Sequence, residues 1–470
     1  MTQAGAMQQA NTVAAPGAST DACQLTLISD GVAAFAARAA VAQAARHSLD
    51  LQYYIWKADL TGQLLAREAL HAADRGVRVR MLLDDMHGLR RDFSLAPLIA
   101  HPLIQIRRFN GTRWHRWGQL GMLLEMLIGN WHLNRRMHNK AWIADGSVVI
   151  CGGRNVGDSY FDASGDFNFR DLDVLVRGAP AASAAAVFEA FWTNPLARPL
   201  RRLSLRPAAR SLARLRHKLD AVAASAAARP YLDRVSATER RHARVLTVEN
   251  DAIRIVSDLP QKVRGLSGSV VAPAIGIMLG AARREALLVS PYFLPGEAGA
   301  AQLIALARAG VRVSVITNSL AATDVVAVHA SYARYRERLI AEGIEVFEVK
   351  QSGERHAGIF GSSSASLHTK AVVVDDGPVF VGSFNFDQRS VTLNTEMGVL
   401  VRHPPLARLM RRQHRWLAQG ARSWRVRLEH GRLTWDDGVT VHSARAEPGA
   451  SLLRRLSACA LRLLPLESQL

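Results

Sequence analysis

One polar pattern occurs twice in this 470-residue chain, once in each half. Met137-His138-Asn139-Lys140 is followed by Asp145, then by Gly152, Gly153 and Asn155. Leu367-His368-Thr369-Lys370 is followed by Asp375, then by Gly382, Ser383 and Asn385. Both copies fit H-x-K-x4-D-x6-G-[GS]-x-N without a gap. A pattern repeated at this spacing constrains the fold: it points to a duplicated unit and to one site assembled from two similar half-sites.

The flanking sequence repeats as well. Leu27-Ile28-Ser29-Asp30 is similar to Ile255-Val256-Ser257-Asp258, and Gly76-Val77-Arg78-Val79 recurs as Gly310-Val311-Arg312-Val313. Leu49-Asp50-Leu51-Gln52-Tyr53-Tyr54 matches Ala286-Leu287-Leu288-Val289-Ser290-Pro291-Tyr292. Each half reads strand, helix, strand and then the polar motif. Strands that alternate with helices indicate α/β domains whose sheets are covered on both faces. The expectation is a duplicated α/β fold with mixed sheets flanked by helices and one active site at the pseudo-twofold interface.

Each motif reads locally as a hairpin. In the second copy Val372-Val373-Val374 leads to the turn signal Asp376-Gly377-Pro378 and then to Val379-Phe380-Val381. The first copy runs extended to Ala144, turns at Asp145-Gly146-Ser147 and continues as Val148-Val149-Ile150. Residues two apart on a strand share a face, so His138 lies beside Lys140 and His368 beside Lys370. The glycines let backbone approach closely, and Asn155 and Asn385 supply amide donors.

Two imidazoles, two ammonium groups and two amides facing one cavity suit a phosphate ester. Lysine and amide donors stabilise charge that builds on the non-bridging oxygens. A neutral imidazole can attack phosphorus, and a protonated one can donate to the leaving oxygen. The chain has 59 Lys and Arg, yet only six are Lys: Lys57, Lys140, Lys218, Lys262, Lys350 and Lys370. Lysine stands at the matching position of both motifs, where a compact point charge differs from a planar fork. Neither motif carries clustered carboxylates or Cys/His pairs at ligand spacing, so no metal or other cofactor is expected.

The paired motifs resemble the HKD motifs of the phospholipase D superfamily. Arg135-Arg136-Met137-His138-Asn139-Lys140, Gly152-Gly153-Arg154-Asn155-Val156-Gly157-Asp158, Phe169-Arg170-Asp171-Leu172-Asp173 and Gly382-Ser383-Phe384-Asn385-Phe386-Asp387 are most similar to the C-type bacterial cardiolipin synthases. The stretch from Val328-His329-Ala330 to Tyr335 and the closing Leu464-Pro465-Leu466-Glu467 fit the same group.

This resemblance implies a metal-independent phosphatidyl transfer to phosphatidylglycerol through a phosphohistidine, yielding cardiolipin. It further implies His138 as nucleophile and His368 as general acid, with the reverse assignment open. Lys140, Lys370, Asn155 and Asn385 would lie on the phosphate. It also implies an acidic residue downstream of each motif that orients a histidine: Glu396 in the second half and, by aligning Val174-Leu175-Val176 with Val399-Leu400-Val401, Asp171 in the first. Asp145 and Asp375 are either catalytic or turn-forming. The same first step followed by attack of water would make a phosphodiesterase acting on phospholipid or nucleic acid, which is the alternative. Intact motifs in both halves argue against a non-catalytic scaffold.

The expected organisation is a flexible N-terminal arm over 1–24, a first phospholipase D-like domain over 25–196, a basic helical linker over 197–250, a second such domain over 251–403 and a basic C-terminal extension over 404–470. The arm lacks the basic start and apolar core of a signal peptide, and no apolar run is long enough for a transmembrane helix.

Net charge is +19, which attracts polyanions, either nucleic acid or an anionic bilayer, and does not by itself choose between them. The segment Trp114 to Trp131 is apolar, with tryptophan at its ends and arginine outside them. It is read either as an interfacial helix or as a core helix. The tail beyond Pro404, with Trp416, Trp424 and Trp435, would support the fold or touch the membrane. Expected partners are phospholipids, namely phosphatidylglycerol and phosphatidylethanolamine, and an anionic membrane surface, with no nucleic acid. The expected location is peripheral, on the cytoplasmic side of the bacterial inner membrane. Cys23, Cys151 and Cys459 give no disulfide framework.

Overall fold

The repeated apolar runs fold into two sheets with the same strand order. A computed structural model describes residues 22–85, 93–112, 114, 118–200, 208–239, 244–351, 365–443, 447–464 and 467–469. In the first sheet Cys23–Ile28, Asp173–Arg177, Val148–Gly152, Ala141–Ala144, Ser48–Tyr53, Arg78–Asp84 and Ile104–Phe109 lie side by side in that order. In the second, Ile253–Ser257, Met397–Arg402, Pro378–Gly382, Ala371–Val374, Glu285–Val289, Arg312–Asn318 and Glu345–Val349 do the same. The last three strands of each set are parallel. Parallel neighbours require a crossover, and helices Leu60–Asp74 and Gly296–Arg308 supply the first one in each half. Both sheets are mixed and flanked by helices, as the sequence predicts.

Each sheet buries one face against its own outer helices. Leu49, Leu51 and Tyr53 alternate onto the outer face of the first sheet, where they join Phe35, Leu65 and Leu70. Val313, Val315 and Val346 do the equivalent in the second sheet with Ile275, Leu303 and Leu339. The inner faces share a third core, in which Ile143, Val149 and Val174 meet Val373, Val381 and Val399. Helices Pro180–Trp192 and Pro404–Leu417 also feed this layer through Phe188 and Met410. One apolar core therefore joins the halves.

The expected domain limits shift where hydrogen bonding overrides composition. Most of the predicted N-terminal arm, residues 1–21, lies outside the described residues. Cys23 and Gln24 already belong to the first strand. The stretch 197–250 is helical over Ala208–Ala224 and Arg229–Glu239, yet it is built into the first half rather than standing between halves. Ala197–Pro199 pairs with Ile104–Phe109, and Val245–Val248 pairs with Cys23–Ile28. Leu219, Tyr231 and Val235 complete the first outer core, and Arg216 and Arg234 bond Asp74 and Asp162 O of the same half. Likewise, the tail beyond 404 is no appendage. Ser423–Glu429, Arg432–Asp436 and Val441–Ser443 extend the second sheet, and Trp435 is buried in its core.

Among the described residues no helix is long and apolar enough to cross a membrane. Cys23 and Cys151 are buried, Cys459 is exposed, and all three are free.

Candidate active site

Both predicted hairpins form. Ala141–Ala144 pairs antiparallel with Val148–Gly152, and Ala371–Val374 with Pro378–Gly382. The strands start only after each lysine, however. Residues 138–140 and 368–370 leave their own sheet because their backbone pairs with the other half. His138 donates its backbone N–H to Thr395 O at 2.9 Å, and Thr395 returns one to Arg136 O at 2.9 Å. In the second copy, Ala365–Leu367 pairs in parallel with Asn168–Arg170, and His368 N–H donates to Arg170 O at 2.8 Å.

These exchanges set the carboxylates. Glu396 follows Thr395 and Asp171 follows Arg170, so each acid is delivered to the histidine of the opposite half. His138 Nδ1 lies 2.9 Å from Glu396 Oε2, and His368 Nδ1 lies 2.6 Å from Asp171 Oδ2. A carboxylate at Nδ1 holds the proton there and leaves Nε2 as the free nitrogen. Gly153 lies tight against Asp171: a Cβ there would come within 2.3 Å of its Oδ1. In the second half the matching Ser383 donates its hydroxyl to Glu396, and Ser390 adds a second donor at 2.9 Å.

The lysines complete the cluster. Lys140 Nζ donates to His138 O at 2.7 Å and lies 5.6 Å above the Tyr54 ring. Lys370 Nζ donates to His368 O and lies 2.8 Å from His368 Nδ1. Each histidine is only 8 % exposed, and both lysines are buried.

Burial dominates the titration of all four groups. It pushes His138 down to about 4, with Glu396 opposing and Lys140 adding to the effect. His368 also falls to about 4 through burial, with Lys370 next. Lys140 is lowered to about 7 and Lys370 to about 8, again chiefly by desolvation. Burial works against ionised Asp171 and Glu396, but the adjacent lysine and histidine charges outweigh it and hold both below their ordinary values. The site therefore pairs neutral imidazoles with carboxylates at neutral pH.

Asn155 and Asn385 differ from each other. Asn155 Nδ2 donates to Tyr160 OH at 3.0 Å and its carbonyl accepts Ile55 N–H at 3.2 Å. Asn385 is buried, and its Oδ1 finds no partner among the described residues.

Asp145 and Asp375 are separated from the cluster. They occupy the turn at the far end of each hairpin, on the order of 15 Å from the motif lysine by strand rise. Both have positive φ, 53° and 49°. Asp145 accepts the backbone N–H groups of Arg46, His47 and Ser48. Asp375 accepts those of Arg283, Arg284 and Glu285. Of the two roles weighed from sequence, catalytic is replaced by structural: each aspartate locks its hairpin turn to the start of the neighbouring strand.

The sequence left several site neighbours unmarked. Tyr54 packs edge-on to His138 at 5.2 Å, and Tyr160 and Phe169 pack on His368 at 5.4 and 4.8 Å. Tyr54 closes a repeated strand, which was its one visible signal. Among the described residues a separate His329, Glu348 and Glu447 group has donor atoms close enough to hold a metal. Arg336 already bonds both of its carboxylates at 2.8 Å.

The family profile described as "Cardiolipin synthase, PLD-like domain" matches residues 39–192 and 275–417, windows that hold His138 with Asp171 and His368 with Glu396. The chain belongs to this phospholipase D-like cardiolipin synthase family. It is 37 % identical over 460 residues to cardiolipin synthase C of Escherichia coli (strain K12), spanning 95 % of this chain and 96 % of that protein. It is 34 % identical over 441 residues to an uncharacterized protein of Helicobacter pylori (strain J99), spanning 92 % and 86 %. The crystal structure of phosphatidylserine synthase from Haemophilus influenzae Rd KW20 has the same fold, with a TM-score of 0.61, 13 % identity and 95 % of each chain covered. In this family member the crossed pairs make the two halves one site.

Proposed function

We propose that this protein is a phosphatidyltransferase that forms cardiolipin by moving a phosphatidyl group onto phosphatidylglycerol. The observation that carries this reading is the pair of imidazoles, each with Nδ1 fixed by a carboxylate from the opposite half and a buried lysine beside it.

His138 Nε2 attacks phosphorus, a P–N bond forms, and the P–O bond to the departing headgroup alcohol breaks. His368 gives its proton to that alcohol oxygen. The terminal hydroxyl of phosphatidylglycerol then returns a proton to His368 and attacks phosphorus. The P–N bond breaks, cardiolipin is released and both rings are restored. The negative phosphodiester, arriving between the rings, favours the imidazolium needed for the first step.

Lys370 supports this division of roles. Its ammonium lies 2.8 Å from Nδ1 of His368, and its charge opposes the imidazolium, so that ring, once protonated on Nε2, is the more ready to give that proton up. Lys140 donates to the carbonyl of His138, as Lys370 does to that of His368, but has no contact with Nδ1 of its own histidine among those described. Lys140, Lys370, Asn155 and Asn385 are assigned to the non-bridging phosphate oxygens. The protein would work at the inner membrane as a peripheral enzyme, with phosphatidylglycerol or phosphatidylethanolamine as phosphatidyl donor.

The test is incubation of purified enzyme with labelled phosphatidylglycerol, with and without phosphatidylethanolamine, followed by lipid separation. Labelled cardiolipin is expected in both mixtures or only with the second lipid. Phosphatidic acid as the sole product would replace transfer by hydrolysis. His138→Ala and His368→Ala are each expected to lower turnover by about a thousandfold, and robust turnover by either would sink the shared-site mechanism. Excess chelator is expected to leave the rate unchanged; a loss reversed by added metal would refute metal-independent transfer.

A further inference from the structure

The helix Leu452–Arg462 is mounted with its apolar row facing outward. Leu452, Leu453, Leu456, Cys459, Ala460, Leu463 and Leu464 are all exposed, and they follow the i, i+4, i+7, i+8, i+11 spacing of one helical stripe. The leucines carry the exposure: 70 % at Leu452, 74 % at Leu453, 59 % at Leu456 and 85 % at Leu463. The opposite side holds the helix to the protein with small and polar groups. Ser451 caps it by accepting the N–H of Arg454. Arg454 bonds Leu320 O at 3.0 Å and also Thr323 O, and Ala458 packs on the small cluster of Leu320, Ala321 and Ala450. A helix that only needed to cover a core would be turned the other way.

Helix Gly118–Leu127 repeats this inverted mounting. Its buried Glu125 accepts from Thr112 Oγ1 and Trp114 N, while Leu120, Leu127 and Ile128 are exposed. The segments that follow the two helices are hydrogen-bonded to each other. Beyond Leu464, Glu467 accepts the hydroxyl of Tyr335, and Gln469 accepts from Asn134 Nδ2 at 2.9 Å and Arg389 Nη1 at 3.0 Å. Asn134 closes the short turn after the Gly118–Leu127 helix and stands four residues before His138.

We propose that the Leu452–Arg462 helix is a bilayer-docking element, whose leucine row enters the headgroup region of an anionic membrane beside the exposed row of Gly118–Leu127. Segment 452–462 contains no acidic residue, and its exposed Arg462 lies beside the leucine row, which complements anionic lipid. An 11-residue helix is about 16 Å long, and one face of it falls short of the roughly 800 Å² per partner of a stable interface. The inference places the proposed lipid chemistry at a surface, but its readout does not depend on turnover.

The test compares the full chain with a Leu453→Ser/Leu456→Ser variant. Flotation uses vesicles of phosphatidylglycerol with phosphatidylethanolamine, and vesicles of phosphatidylcholine alone. The wild type is expected to float with the anionic vesicles, and the variant to bind them about tenfold or more weakly at an unchanged melting temperature. Leu463→Ser, just past the helix end, is expected to weaken binding in the same direction. Turnover of a short-chain phosphatidylglycerol below its micelle concentration is expected to be equal in wild type and variant. Undiminished flotation of both variants overturns the proposal. So does a wild-type dimer that the substitutions convert to monomer without changing flotation. Weakened flotation with no turnover of monomeric lipid by either protein supports the docking helix and counts against the transferase reading instead.

Discussion

Glu396 acts on a histidine 258 residues earlier in the chain, and its worth is in the proton it positions. Glu396→Gln keeps the shape but no longer fixes the proton on Nδ1 of His138, so Nε2 is less available to phosphorus. Turnover is expected to fall by about a hundredfold or more with little change in KM, measured by steady-state kinetics on wild type and variant. An unchanged kcat would mean that Glu396 serves structure alone. The same carboxylates and lysines set the pH profile. Both imidazoles lie near 4 and are therefore neutral above that pH. Lys140 near 7 and Lys370 near 8 lose charge as pH rises through those values. The profile of kcat/KM, which reports the free enzyme, is expected to fall as pH rises above about 4, where the acid His368 loses its proton, and to fall more steeply between about 7 and 8, where the lysines lose charge. A profile flat to pH 10 would remove the lysines from the charge-stabilising role.

At the scale of elements, the hairpin with its aspartate latch shows what was legible. The spacing from motif lysine to turn aspartate to glycine pair encodes one strand, one turn and one strand, and both hairpins formed there, with each histidine and lysine just ahead of the first strand rather than on it. The duplicated strand order was legible for the same reason, since Gly76-Val77-Arg78-Val79 and Gly310-Val311-Arg312-Val313 begin equivalent strands. The crossing of Glu396 to His138 was not legible, because no local spacing states which half a carboxylate will face. It is decided by the backbone exchange at Thr395 and Arg170, a contact made only once the halves dock. The 452–462 helix illustrates a different loss: its stripe is plain in the sequence, but a periodic row predicts an apolar face without saying whether that face points inward. The latch itself can be tested. Asp145→Ala removes the acceptor for three backbone N–H groups, and is expected to cost about 1–3 kcal/mol while leaving kcat within a few fold. Thermal unfolding and the lipid assay together check this; a large loss of kcat in a variant of normal stability would restore Asp145 to the catalytic set.

Over the whole molecule, the inner core and the paired backbone segments leave no independent half. Val149 and Val174 share a core with Val381 and Val399, and both histidine N–H groups are satisfied across the interface. The protein is expected to unfold in a single cooperative transition, with calorimetric and van't Hoff enthalpies in agreement. Two resolved transitions would show that the halves are separable. The crossed pairs also bear on how activity appears during synthesis. A ribosome makes His138 long before Glu396, and Asp171 long before His368. His368 meets its carboxylate only when residue 368 has emerged, and His138 only when residue 396 has. A product that terminates before the second motif therefore has neither crossed pair: His138 is left without Glu396, and Asp171 without His368.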